Sequence, residues 1–207
     1  MKTPTYVNNC VIALILLMSM QLFAQNLVPF APRYDEAIKG DILLIGNSNV
    51  GLHVTNPYNG SDTNDRVDAA VYVDIDSDPT TFNSSTADLD VPSDTNCYQI
   101  VYAGLYWSAV VNGSEPISDI KFRTPGNPYQ DITGTQIYFQ NAANNNNSNT
   151  YVYYHDVTDI LTALPNPEGT YGVANISSLV GPKPNSEGLS AGWSLFVIYE
   201  DPLLPSK

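Results

Sequence analysis

Two runs of the chain are apolar at almost every position, and they limit its fold more than any other feature. Residues 98–111 read YQIVYAGLYWSAVV and residues 193–200 read WSLFVIYE. Successive side chains of a strand point to opposite faces, so a strand apolar on both faces belongs in the middle of a sheet, covered on both sides. Period-two alternation recurs elsewhere, whereas helical periodicity is nearly absent. In residues 67–78, Val67, Ala69, Val71, Val73 and Ile75 fall on one face; Asp68, Ala70, Tyr72, Asp74 and Asp76 fall on the other. Shorter strands are predicted at 41–45, 117–123, 135–140 and 151–155. Turn signals divide them: Asn56-Pro57, Asn59-Gly60, Asn112-Gly113 and Pro125-Gly126-Asn127-Pro128. One helix near 156–164 is predicted from the stripe Val157, Ile160, Leu161 and Leu164, capped by Asp156 and stopped by Pro165. The pattern specifies an all-β antiparallel sandwich, jelly-roll-like, with one short helix.

Domain organisation follows from the ends inward. Residues 1–24 read as a cleaved secretory signal peptide, with Lys2, an apolar stretch over 11–18 and Ala24 at the cleavage position. Residues 25–39 form a lead-in, 40–202 the sandwich domain, and 203–207 the start of a linker or a truncated end, as in the N-terminal part of a longer protein. The apolar stretch over 11–18 is too short to span a membrane, and no second one like it follows. The 21 acidic and 8 basic side chains give a net charge of −13, which excludes nucleic acid and anionic lipid as partners, since both need a basic surface. The aromatic content is too high for a disordered acidic chain. Cys97, beside the first apolar run, reads as a buried inert thiol.

Candidate sites are few. Asp74, Asp76 and Asp78 alternate along the predicted strand, so an extended backbone would direct all three carboxylates to one side, and Asp88 and Asp90 lie a short loop away. Calcium takes six to eight oxygen ligands, making these five aspartates the candidate calcium site and calcium the candidate cofactor; the spacing is not that of an EF-hand. Tyr151 and Tyr153 are the candidate glycan-stacking residues, while Trp107 and Trp193 are assigned to the core. The segment 188–192 matches G-x-S-x-G, but it leads into a strand instead of following one, the reverse of a hydrolase elbow. His53 and His155 have no His or Cys partner at metal-ligand spacing. No catalytic residue is assigned.

Several short motifs occur in a fixed order: Asn64-Asp65, the YVDIDSD segment at 72–78, Thr81-Phe82-Asn83-Ser84-Ser85 and AGLYW at 103–107, then HDVTD at 155–159, AGWSL at 191–195 and YEDP at 199–202. Together they resemble the N-terminal domain of large adhesin-like surface proteins of Bacteroidetes, exported by type IX secretion, over most of residues 40–202. The resemblance implies a cell-surface location and adhesion, with surface glycans or other cell-surface proteins as partners. It supplies no catalytic residues. The alternative is a carbohydrate-binding module of a secreted polysaccharide-degrading protein.

Overall fold

The computed structural model describes residues 29, 31–55, 70–92, 97–112, 117–140, 149–182 and 189–206. The segment 1–24 expected to be a signal peptide, the Asn59-Gly60 turn, residues 67–69 and Gly188 lie outside them. The chain is an antiparallel β-sandwich with one short helix. Its strands are β1 (Gly40–Ser48), β2 (Val50–Gly51), β3 (Val71–Tyr72), β4 (Ser84–Leu89), β5 (Gln99–Val111), β6 (Asp119–Arg123), β7 (Gln130–Thr133), β8 (Thr135–Gln140), β9 (Asn149–Asp156), β10 (Gly169–Ala174) and β11 (Ala191–Glu200). One sheet has the order β1-β11-β5-β9-β8 and the other β4-β10-β6-β7, with β2 and β3 forming a separate pair. Both two-sided apolar runs therefore lie inside the five-stranded sheet, as their composition requires. No helix of the described residues is long and apolar enough to cross a membrane.

One parity class of each long strand makes the core. Ala103, Leu105, Trp107, Ala109 and Val111 of β5 face Trp193, Leu195 and Val197 of β11, and Phe122, Tyr171 and Val173 of the second sheet close over them. The register from Leu105↔Leu195 to Tyr102↔Ile198 is regular, then jumps to Ile100↔Tyr199. Val101 is thus the extra residue of a β-bulge, and it swings Ile100 onto the buried side beside Tyr199. Helix α1 (Thr158–Thr162) is shorter than the predicted 156–164. Val157, not the expected Asp156, holds the N-cap position and gives no side-chain cap bond. Asp156, one residue earlier, accepts the Thr158 N–H at 2.9 Å, and Val157 and Leu161 are buried beneath.

Other local expectations fail. Of the predicted strand over 67–78, the described residues 70–78 hold only β3 as a strand; Val73 N and Asp74 N donate to the Asn49 and Val54 carbonyls, the Val73 carbonyl accepts from Ser84 N, and Ser77 has φ of 53°. Aspartate side chains capture the local N–H groups instead: Asp76 Oδ1 accepts from Asp78 N and Asp78 Oδ1 from Thr80 N. Such short bonds compete with a ladder. Cys97 is exposed, because β5 begins two residues later and the thiol stays outside the sheet.

Between the sheets lies a fully buried polar cluster. Asn49 Nδ2 donates to Asn83 Oδ1 at 3.1 Å and to the Val173 carbonyl at 3.0 Å. Its Oδ1 accepts from Ser85 Oγ, which itself accepts from Trp193 Nε1 at 2.9 Å. Asn83 bonds both backbone groups of Ile176. Asn49→Ala should cost roughly 2–3 kcal/mol, because buried polar partners lose their bonds. The midpoint of thermal unfolding should fall by roughly 5–10 °C for a domain of this size, read by circular dichroism; a fall under 2 °C would show the cluster to be dispensable.

Candidate functional site

The predicted site residues do not assemble. Asp74 accepts a hydrogen bond from Ser84 Oγ, and Asp88, out on β4, accepts from Thr170 Oγ1 across the ladder at 2.6 Å. Asp76 serves as a loop anchor: Tyr129 Oη donates to it at 2.6 Å, and the Arg123 guanidinium, 3.8 Å away, also stacks on the Tyr129 ring. Asp90 sits past the end of β4, near Tyr98. Among the described residues no group of three or more His, Cys, Asp or Glu side chains converges as a metal would need. Burial alone would push the Asp76 carboxyl up, but the bonds from Tyr129 and the Asp78 N–H, with Arg123 nearby, hold it below the usual carboxylate range.

Tyr151 and Tyr153, expected at the surface, are core residues. Tyr151 has no exposed area and donates to the Ser177 carbonyl at 2.7 Å. Tyr153 stacks on Trp107 with ring centroids 5.9 Å apart and bonds Gln136. The register explains this, since Tyr153 pairs with Trp107 and Tyr151 with Ala109, both inward positions of β5. The assignment of Trp107 and Trp193 to the core holds; each indole N–H is satisfied, by the Ile117 carbonyl and by Ser85. His155 Nδ1 lies 2.8 Å from the Thr133 carbonyl. Ser190 gives its carbonyl to Val110 N, and Ala191-Gly192 begin β11, so the G-x-S-x-G match is a turn entering a strand.

The opposite parity class builds a different surface. On the outer side of the five-stranded sheet stand Ile42 and Leu44 of β1, Phe196 and Ile198 of β11, Tyr102 and Tyr106 of β5, and Tyr154 of β9. Ile42 and Leu44 are 58% and 59% exposed, and Phe196 is 37% exposed. The apolar outer face thus lacks the full cover that its sequence predicts. The outer side of the four-stranded sheet differs: it carries Thr86, Asp88, Thr170, Lys121 and Asp131, with Lys121 and Asp131 ion-paired at 2.9 Å.

The tyrosines form one connected cluster. The Tyr106 and Tyr154 ring centroids lie 4.9 Å apart, Phe196 meets Tyr106 edge-on at 5.5 Å, and Tyr102 Oη donates to Tyr154 Oη at 3.1 Å. Burial, then hydrogen bonding with Tyr154 and Tyr106, raises the Tyr102 hydroxyl well above its ordinary value, so it remains a donor. Gly104 lies between them, and a Cβ there would come within 2.5 Å of Tyr102 Oη. Beside the cluster is a depression of about 560 Å³ whose lining includes Ser108, Gly192, Ser194 and Val152. Another cavity, about 530 Å³, lies between Tyr98 and the loop after α1. Its carboxylate, Glu168, already accepts from Val91 N and Tyr98, and the Tyr98 hydroxyl is pushed up to about 12 by burial and by Glu168.

Tyr153→Ala should destabilise the domain by roughly 3–5 kcal/mol in denaturant unfolding, as emptied aromatic core sites do; a loss under 1 kcal/mol would contradict its placement. The stability that Asp76 contributes is fully present above its ordinary value of 3.8 and is lost as pH falls through its lower folded value. The stability gap between wild type and Asp76→Asn should therefore narrow as pH drops below about 4; a gap that widens in acid would refute the assigned ionisation. The chain matches no protein-family model, no curated protein and no solved structure, so the geometry of the open sheet face carries the functional reading.

Proposed function

We propose that this chain is a secreted, non-enzymatic β-sandwich of the cell surface that adheres to a polypeptide partner through the outer face of its five-stranded sheet. The single observation that carries the reading is the apolar outer face on which Ile42, Leu44 and Phe196 are exposed beside the half-buried Tyr106 and Tyr154, spread over adjacent strands. Contiguous apolar surface of this kind marks an interaction site, and aromatic side chains supply most of the energy in such contacts. The two aliphatic residues on edge strand β1 favour a polypeptide, because they extend the contact beyond what sugar rings use. A second reading, glycan binding, draws on the depression beside Tyr106, where Ser108 and Ser194 bring hydroxyls next to an aromatic ring.

Beads coated with the purified domain should adhere to intact cells, and Leu44→Ser with Phe196→Ser should lower adhesion at least about tenfold, with thermal stability unchanged. Adhesion abolished by protease treatment of the cells supports a polypeptide partner. Adhesion that survives protease and is lost on periodate oxidation would move the assignment to the glycan reading. Adhesion equal in wild type and double variant, or a concentration-dependent dimer lost in the variant, would overturn the proposal.

A further inference from the structure

The open face already holds one of the chain's own cations. The Arg33 guanidinium carbon lies 3.8 Å from the centroid of the Tyr154 ring and 6.0 Å from that of Tyr106. The next residue, Tyr34, packs its ring 5.9 Å from that of Tyr102. The lead-in thus crosses the tyrosine cluster before entering β1. Charges around the cluster are acidic: Glu36 and Glu200 act through space on Tyr34, and Asp156 acts on Tyr154. No described carboxylate lies within ion-pair distance of Arg33, so the ring faces are what hold it. Arg33 is itself exposed and can leave without opening the core.

We propose that the rings of Tyr106 and Tyr154, backed by the buried Tyr102, form a guanidinium-binding site, occupied by Arg33 in the free domain and taken over by an arginine side chain of a polypeptide partner. The inference rests on the reading of the outer face as a binding surface. The negative face of an aromatic ring attracts a cation, and the planar guanidinium stacks on it in a way a compact ammonium does not. The surrounding carboxylates and the net charge of −13 draw cationic segments toward the domain. A free small cation could use the rings alone, whereas an arginine within a chain can also cover Phe196, Leu44 and Ile42. Arg33 therefore acts as an internal competitor, and its removal should raise the apparent affinity by the weight of its own contact.

Titration of the purified chain with the blocked tripeptide acetyl-Gly-Arg-Gly-amide, followed by NMR of the tyrosine ring resonances, tests this. Arg33→Ala should bind about 2- to 5-fold more tightly than wild type, the range expected for an exposed cation–π contact. The peptide with citrulline, neutral and nearly isosteric, should produce no saturable shift. Tyr154→Leu in the Arg33→Ala background should abolish binding; because leucine preserves the apolar surface, the far-ultraviolet circular dichroism should stay unchanged, and Tyr106→Leu serves where it does not. Equal binding by wild type and Arg33→Ala, equal binding of the citrulline peptide, or no saturable shift in any form would overturn the site. If adhesion still depends on Leu44 and Phe196 in that event, only the guanidinium site falls; if adhesion ignores them, the reading of the whole face falls with it.

Discussion

The sandwich depends on a polar contact more than on any single apolar one. Asn49 sits at the junction of β1 and β2, and its amide reaches β10 through the Val173 carbonyl, Asn83 just before β4, and Ser85 on β4. Ser85 in turn receives the indole N–H of Trp193 from β11. Apolar burial drives the two sheets together but is non-directional, so it would tolerate a range of offsets between them. Hydrogen bonds in a buried site are directional and costly to leave unmade. One asparagine in this setting fixes which residues of β4 and β10 lie under β11, and with them which parity of β11 turns inward. The backbone of Asn49 adds a bond to Ala191 and accepts one from Val73, so the same residue also aligns the start of β11.

Once parity is fixed, the two faces of the five-stranded sheet divide the work. The inner face takes Leu105, Trp107, Leu195 and Val197, all buried. The outer face receives the tyrosines, Phe196 and the β1 aliphatics. The bulge at Val101 matters here, since it turns Ile100 inward beside Tyr199 and leaves Tyr102 as the last outward residue of β5 before the irregularity. Without that extra residue Ile100 would extend the outer aromatic row, and the region near Tyr199 would lose a core side chain.

The fold was largely legible in the sequence, because strand periodicity, turn residues and two uncharged runs are local signals. The direction of each face was harder to read. Tyr151 and Tyr153 look exposed beside a polar loop, yet their register against Ala109 and Trp107 buries them. A usable signal was present. On β5 the inward class is Ala103, Leu105, Trp107, Ala109 and Val111, with no hydroxyl; the outward class includes Tyr102, Tyr106 and Ser108. Hydroxyls that share one parity along a strand mark its wetter side, even where both sides look apolar. The aspartate segment failed for another reason: alternation assumes an extended backbone, and Asp76 and Asp78 remove that premise by bonding their own downstream N–H groups. Abundant asparagine likewise suggests loops, but Asn49 and Asn83 are buried because tertiary partners 34 or more residues away satisfy them.

An open apolar face and a strongly acidic chain are complementary features. The face alone would favour pairing between copies, since like surfaces bury each other as readily as anything else. A charge of −13 opposes such pairing, and at physiological ionic strength its reach is about 8 Å, the distance over which two domains approach before their side chains touch. The same field attracts a partner of opposite sign. In the proposed interaction charge selects what arrives, and the tyrosines and aliphatics determine what stays, because contacts made at van der Waals distance escape the screening that weakens long-range charge. Arg33 satisfies both conditions from within the chain, which is why the lead-in rests where a cationic partner would.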